Sequence, residues 1–311
     1  MNVPQRFAEL VDKCAELIDG SGLIETHHTL QKAEPLPSLL ERCSELVEHP
    51  WPTEPVRTIH HFACSGGTLV SKCVASMPNV QLLSEVAPHS QMYSGRSSAF
   101  APTDLVSLLR NGSLGSDEEL ELEVFLQGVR AIYERCTQTG THLVLREHTH
   151  SKYCVEEDVK DVPGLVSGLS SEYETRSIVS VRHPLDSYLS LLKRGWRHFS
   201  PNSLDEYARR YLAFLDDHEE LPLVRYEDFV ANSEPVMRTI CSALELGFTP
   251  GFENLFSIHK LSGDSGRTSA RIGRRSRRAT PEEVVGQLDS HRYLELCKRL
   301  EYDPLVSPHN D

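Results

Sequence analysis

Four short stretches of the chain hold residues whose types and spacing could do chemistry on an anionic ligand. The first is Cys64-Ser65-Gly66-Gly67-Thr68. Two consecutive glycines let backbone N–H groups come close to a phosphate, and the flanking Ser65 and Thr68 hydroxyls can donate to it. The second and third are Arg146-Glu147-His148 and Arg182-His183-Pro184, each following an apolar run. Both are rich in cations and imidazole, which suits a reaction in which protein charges, not a metal, neutralise a leaving group. The fourth is the run Arg267 to Arg278, with arginines at 267, 271, 274, 275, 277 and 278. Taken alone, a glycine pair is equally a plain strand-to-helix turn, an isolated arginine a surface ion pair, and an arginine run a solvated linker. What separates the readings is the order of these stretches and the elements that carry them.

Those elements are predicted to alternate. Thr58 to Ala63 reads as a strand entering the glycine loop, and a helix follows over about Leu69 to Met77, ending before Pro78. Val80 to Ser84 is a second strand. Helical stretches near Asp104–Arg110 and Asp117–Arg135 precede a third strand, His142 to Leu145. Ser177 to Val181 is a fourth strand and Leu221 to Arg225 a fifth, each followed by helix, the last near Ser233–Leu244. Strand–helix alternation predicts an α/β fold, a three-layer sandwich with a central, mostly parallel sheet flanked by helices. Ligands of such sheets bind outside the carboxyl ends of the strands, where all three short motifs fall. The first fifty residues read as a separate helical segment. Phe7, Leu10, Val11, Cys14, Leu17 and Ile18 recur at helical spacing up to Gly20, and a second helix starts at Ser38 with Glu41 as its capping-box partner. The expected division is residues 1–50 and an α/β domain over 51–311.

Composition narrows the partners. The 311 residues carry a formal net charge of −13, which argues against a general nucleic-acid partner or an anionic membrane surface. An anionic ligand therefore needs a local basic site set against the global field. The eight cysteines form no C-x-x-C pair, so neither a disulfide frame nor zinc is expected. No apolar run approaches the roughly 20 residues of a membrane span, and the N-terminus lacks the pattern of a signal peptide. The expectation is a cytoplasmic, reduced protein with no metal.

The loop is too short for a Walker A motif and lacks its lysine, and no strand ends in an aspartate suited to Mg²⁺. Instead the sequence resembles the PAPS-dependent sulfotransferases, especially bacterial members with a P-loop-like fold. In that family a K/R-S-G-T-T-like loop after the first strand binds the 5′-phosphosulfate of the donor, and Cys64 to Thr68 matches it except at the first position. A second signature is a strand ending in Arg with a Ser eight residues later, which together hold the 3′-phosphate; Arg182 and Ser190 stand at that spacing. Leu223-Val224-Arg225-Tyr226-Glu227-Asp228-Phe229 is similar to an R-Y-E-D-L segment whose tyrosine lies near the adenine. Ser262-Gly263-Asp264-Ser265-Gly266-Arg267 is similar to an S-G-x-S-G-R segment, which implies Arg267 as a phosphate ligand. The resemblance spans about Thr58 to Arg278.

The resemblance implies sulfuryl transfer from PAPS, with PAP as product, to a hydroxyl of a small molecule, lipid or carbohydrate, by in-line chemistry without a metal. His148 occupies the position of the catalytic histidine that ends a strand in the cytosolic members, and an imidazole suits a general base. His150 and Glu147 are the neighbouring alternatives. Arg146 is placed to stabilise charge, and Glu85 either orients the acceptor or forms a structural ion pair. The acceptor pocket is expected from Met92–Arg135, Lys152–Ser171 and Arg194–Ser203. One departure stands out: Cys64 replaces the family's cation, so Lys72, Arg146 or Arg267 must substitute, or transfer is slow or absent. Two alternatives follow: a kinase-like phosphotransferase using Mg-ATP, and a PAP- or PAPS-binding protein without efficient catalysis.

Overall fold

A computed structural model describes residues 54–88, 90, 105–110, 112–114, 116–155, 164–196, 198–263, 271–273 and 278–305. The helices expected before residue 51 lie outside the described residues. So do Arg267, Arg274, Arg275, Arg277 and parts of the first two expected acceptor segments.

The five predicted strands all form: β1 Val56–His61, β2 Val80–Val86, β3 His142–Glu147, β4 Thr175–Val181 and β5 Leu223–Arg225. They make one parallel sheet in the order β2-β3-β1-β4-β5. The chain leaves β1 for the sheet edge at β2, returns to place β3 against β1, then crosses to β4 on the other side. The exits of β1, β3 and β4 are thereby brought side by side where the winding reverses, the usual place for a ligand in such a sheet. Register is set by pairs such as Ile59 with Arg146 and His61 with Ser180.

Side chains alternate across the strands. On one face Ile59, Val144, Ile178 and Val224 meet helices α1 (Gly67–Val74) and α9 (Ser233–Ala243). On the other face Val179 and Val181 meet α6 (Pro184–Arg194), α7 (Leu204–Asp216) and α12 (His291–Arg299). Beside them Leu143 and Leu145 meet α3 (Glu118–Thr139) and α5 (Leu165–Leu169). The short helices α2 (Leu105–Arg110), α4 (His150–Tyr153), α8 (Tyr226–Ala231), α10 (Phe252–Leu255) and α11 (Glu282–Val285), with a 3-10 turn over Phe256–Ile258, complete the described elements.

Local chemistry moves several predicted boundaries. α1 begins two residues before Leu69 because Gly66, in the left-handed region at φ 98°, caps it. α3 starts where Asp117 accepts the Leu120 N–H at 2.8 Å and runs on to Thr139, where Gly140 at φ 65° stops it. β5 starts at Leu223, because Pro222 accepts from Val179 N–H but has no N–H to return. No described helix is long and apolar enough to cross a membrane.

Candidate functional site

The turn from β1 into α1 is shaped by its backbone. Cys64 at φ 64° and Gly66 at φ 98° are both left-handed, and turns of this kind generate the concave row of N–H groups that holds anions. A Cβ on Gly66 would overlap the ring of Tyr226, and one on Gly67 the ring of His61. Both positions therefore require glycine for close approach as well as, at Gly66, for conformation. Gly67 and Thr68 open α1, so their N–H groups have no acceptor within the helix. The Ser65 hydroxyl faces the interior: it lies 2.8 Å from the Phe62 carbonyl and 3.1 Å from that of Ser180, to which it donates. Ser65 thus ties the loop to β4, leaving the N–H groups and Thr68 at the mouth.

The β4 exit comes to the same mouth. His183 caps α6 through Nδ1, which accepts the Leu185 N–H, and donates from Nε2 to Asp303 O at 3.0 Å. Pro184 fits the first turn. Directly before this cap, the Arg182 guanidinium lies 4.8 Å from the centre of the Tyr226 ring, with Nη1 3.5 Å from Cys64 O and a buried Nε that has no partner among the described residues. Ser190, two turns along α6, donates to Asp186 O at 2.8 Å. Next to it Leu189 O accepts from Arg278 at 3.3 Å. The charges of Arg182, Arg194 and Arg278 all act on the Cys64 thiol, yet burial outweighs them and pushes it up to about 11. Cys64 is therefore a neutral thiol, with the Arg182 guanidinium 3.5 Å from its carbonyl oxygen.

The β3 exit brings a guanidinium, an imidazole and the Glu85 carboxylate together. Arg146 is buried, donates to Thr68 Oγ1 at 3.1 Å and pairs with Glu85. Glu85 also sits 3.1 Å from His148 Nε2. With Nε2–H donating to the carboxylate, the neutral ring presents Nδ1 as its basic atom. Burial and the charge of Arg146 hold His148 down to about 4. Glu85 is itself in the left-handed region at φ 64°. The chain passes over it at Gly263, where a Cβ would overlap its carboxylate, and Ser84 and Ser262 exchange hydrogen bonds at 2.7 and 3.0 Å. Of the three cations proposed to stand in for the one missing at Cys64, Arg146 touches the loop. Lys72 is buried a turn further along α1, and Arg267 lies outside the described residues.

The alternatives to His148 occupy different surroundings. His150 joins an aromatic cluster, 6.2 Å from His148, 6.0 Å from Trp196 and 5.6 Å from His198 between ring centres, and burial holds it down to about 3. Trp196 and His198 belong to the expected acceptor segment 194–203. Glu147 points through the opposite face of the sheet, as strand alternation requires, onto His60 and His218. His61 is an imidazole that sequence reasoning missed. Its Nδ1–H donates to Phe62 O at 3.1 Å, leaving a buried Nε2 without a partner among the described residues, and burial together with Arg146 holds it down to about 3. Its parity with Ile59 on β1 was the available signal.

The fold recurs in solved structures. The sulfotransferase domain from the curacin biosynthetic pathway superposes with a TM-score of 0.50 at 15% identity, over 80% of this chain and 98% of that one. The sulfotransferase domain from the Synechococcus PCC 7002 olefin synthase gives 0.49 at 15% identity, over 82% and 98%. Sulfotransferase STF9 from Mycobacterium avium gives 0.43 at 13%, over 84% and 81%. No protein-family model matches the sequence, and no curated protein matches it. At these identities the likeness is one of fold.

Proposed function

We propose that the chain is a PAPS-dependent sulfotransferase, moving a sulfuryl group to the hydroxyl of a small-molecule, lipid or carbohydrate acceptor by in-line transfer without a metal. The observation that carries this reading is the convergence of two guanidinium groups on the glycine loop, Arg182 from the β4 exit 3.5 Å from Cys64 O and Arg146 from the β3 exit 3.1 Å from Thr68 Oγ1, in a chain of net charge −13. Arg146 and Arg182 come from β3 and β4, the strands on either side of β1, which suits a ligand with anionic groups at separate points. A nucleotide with a 3′-phosphate and a 5′-phosphosulfate has that distribution.

In this reading the N–H groups of Gly66, Gly67 and Thr68 hold the 5′-phosphosulfate, and Ser65 keeps their loop closed. Arg182 and Ser190 hold the 3′-phosphate, Tyr226 lies against the nucleoside, and Arg267 closes on a phosphate. The acceptor oxygen attacks sulfur, the bond from sulfur to the 5′-phosphate oxygen breaks, and PAP leaves with the electron pair. The acceptor proton passes to Nδ1 of His148, whose other nitrogen Glu85 holds. Arg146 offsets the charge that grows on the leaving phosphate, the task for which Cys64 has no cation.

The neutral Cys64 thiol favours one second reading, a PAP-binding protein with little transfer. Radiolabelled PAPS offered with a panel of hydroxyl acceptors, alongside thermal shifts with PAP and with Mg-ATP, separates the cases. Label transfer with stabilisation by PAP supports the enzyme. Stabilisation by PAP without transfer supports the second reading. Selective stabilisation by Mg-ATP, or by neither ligand, overturns both.

A further inference from the structure

On the face of the sheet opposite Arg146, three ligand-type side chains converge in the core. His60 of β1, Glu147 of β3 and His218, just past α7, are 0, 7 and 7% exposed. Their facing atoms lie 2.6 Å (His60 Nδ1 to Glu147 Oε2), 3.2 Å (His60 Nδ1 to His218 Nε2) and 3.4 Å (His218 Nε2 to Glu147 Oε2) apart. The point equidistant from all three is about 1.8 Å from each, just inside the roughly 2.0–2.2 Å reach of zinc to imidazole nitrogen and carboxylate oxygen. An ion about 1 Å off their plane reaches all three with the side chains where they stand.

The surrounding hydrogen bonds prepare each ligand atom. His218 Nδ1 faces Phe214 O at 2.7 Å and so carries a hydrogen, which in the neutral ring makes Nε2 the nitrogen able to bind an ion. His60 Nε2 lies 2.7 Å from Thr58 Oγ1, which lies 2.7 Å from Ser177 Oγ. Glu147 Oε1 accepts the Leu165 N–H at 3.2 Å. Every ligand thus has a second partner on its far side, the support that metal-binding imidazoles and carboxylates need. Without an ion, His60 Nδ1 and His218 Nε2 face the same Glu147 carboxylate oxygen at 2.6 and 3.4 Å.

We infer that His60, Glu147 and His218 form a buried zinc site that ties the ends of β1 and β3 to the end of α7. On binding, the His60 proton moves from Nδ1 to Nε2, where Thr58 Oγ1 accepts it and turns its own hydrogen to Ser177, so no proton is lost from the ring. Two imidazoles and one carboxylate match zinc in ligand type. The ion is structural, since its ligands face away from the glycine loop. Yet His61, Arg146 and His148 are chain neighbours of its ligands, so it fixes the strand ends on which the transfer site stands. The expectation of no metal rested on cysteine spacing. These ligands are 87 and 158 residues from His60, and no local motif announces them.

The test uses the full chain without a histidine tag, stripped with a chelator, refilled with ZnCl2 or CoCl2 and desalted. One zinc per chain and a raised melting temperature are expected. The cobalt form should show ligand-field bands without the near-ultraviolet band of a thiolate ligand. Thr58→Val should weaken zinc binding about 10–100-fold while keeping the fold, and His218→Gln should abolish stoichiometric binding. No retained zinc and no thermal shift would overturn the inference. So would a thiolate band, which assigns the ion to cysteine, or full zinc retention in a folded His218→Gln. Where His218→Gln does not fold, the wild-type cobalt spectrum and Thr58→Val decide. None of these readouts involves the donor nucleotide.

Discussion

Replacing Arg182 with methionine tests the donor site at the point where its geometry is most specific. In the free protein this guanidinium makes one long contact to Cys64 O at 3.5 Å and lies over Tyr226 at 4.8 Å, with Nε buried and unpartnered. Its removal forfeits a cation–π contact of about 0.5–1 kcal/mol, part of which the methionine recovers by packing on the ring. The fold should therefore lose under about 1 kcal/mol. Binding is another matter. A phosphate held by one guanidinium gains charge-assisted hydrogen bonds worth about 1.5–3 kcal/mol each, so losing one strong or two weak bonds costs about 3 kcal/mol, or roughly 150-fold in Kd. Calorimetry with PAP and with AMP isolates that loss, because AMP lacks the 3′-phosphate. The wild type should prefer PAP by about two decades, and Arg182→Met should erase most of that preference while barely changing the affinity for AMP. An equal loss for both nucleotides would mean that Arg182 supports the loop and does not read the 3′-phosphate. An unchanged preference would remove it from the site.

Three further outcomes follow from the geometry. His148→Ala should lower the rate of transfer by about 10²–10⁴-fold while leaving the PAP Kd within about threefold, measured by single-turnover assay and calorimetry; a full rate would transfer the role to His61 or His150. Gly66→Ala should cost about 2–4 kcal/mol in urea denaturation, from left-handed strain and overlap with Tyr226, and a loss under about 0.5 kcal/mol would contradict the packing. His61, His148 and His150 are held at about 3, 4 and 3 by burial, so below pH 6.5 the unfolded chain binds protons that the folded chain refuses. Stability is complete above about pH 6.5 and falls by about 3–4 kcal/mol per unit on acidification towards pH 4.5; a flat profile of denaturation midpoints across that window would refute their burial as neutral rings.

The sheet was legible because buried parallel strands are short apolar runs, and all five were found, with edges moved by caps and by Pro222. The candidate site was legible as placement where one motif lies on one strand exit: the glycine loop after β1, Arg182 after β4, and Arg146 with His148 at the end of β3. It was illegible where function depends on backbone sign or on distant segments. Nothing in the sequence marks Cys64 as left-handed or turns the Ser65 hydroxyl inward. The arginine run directed attention to Arg267, whereas Arg278 is the described member at Leu189. The triplet Arg146-Glu147-His148 was read as one cluster, although strand alternation sends its middle residue through the sheet, and the partners of Glu147 come from β1 and the end of α7.

That alternation bears on the gap at Cys64. A lysine there would place its charge on a flexible stem, free to follow the leaving phosphate. The charge next to this loop is a guanidinium from another strand, buried, fixed to Thr68 and balanced by Glu85. A fixed cation stabilises a developing charge well only if that charge arises where the cation already points, and part of its field is spent on the carboxylate. Glu85, however, also holds His148. In the proposed reaction, an imidazolium formed at His148 would draw Glu85 towards itself and release Arg146 to the phosphate, which would couple base and leaving-group stabiliser through one carboxylate. Glu85→Gln separates this coupling from a plain ion pair. If Arg146 and His148 act independently, removing the competing charge should raise the pull of Arg146 and leave the rate unchanged or higher. If they act through Glu85, the rate should fall by about 10-fold or more with PAP affinity maintained, and the same substitution in a His148→Ala background should cost little further. Additive losses in the double variant would sink the coupling.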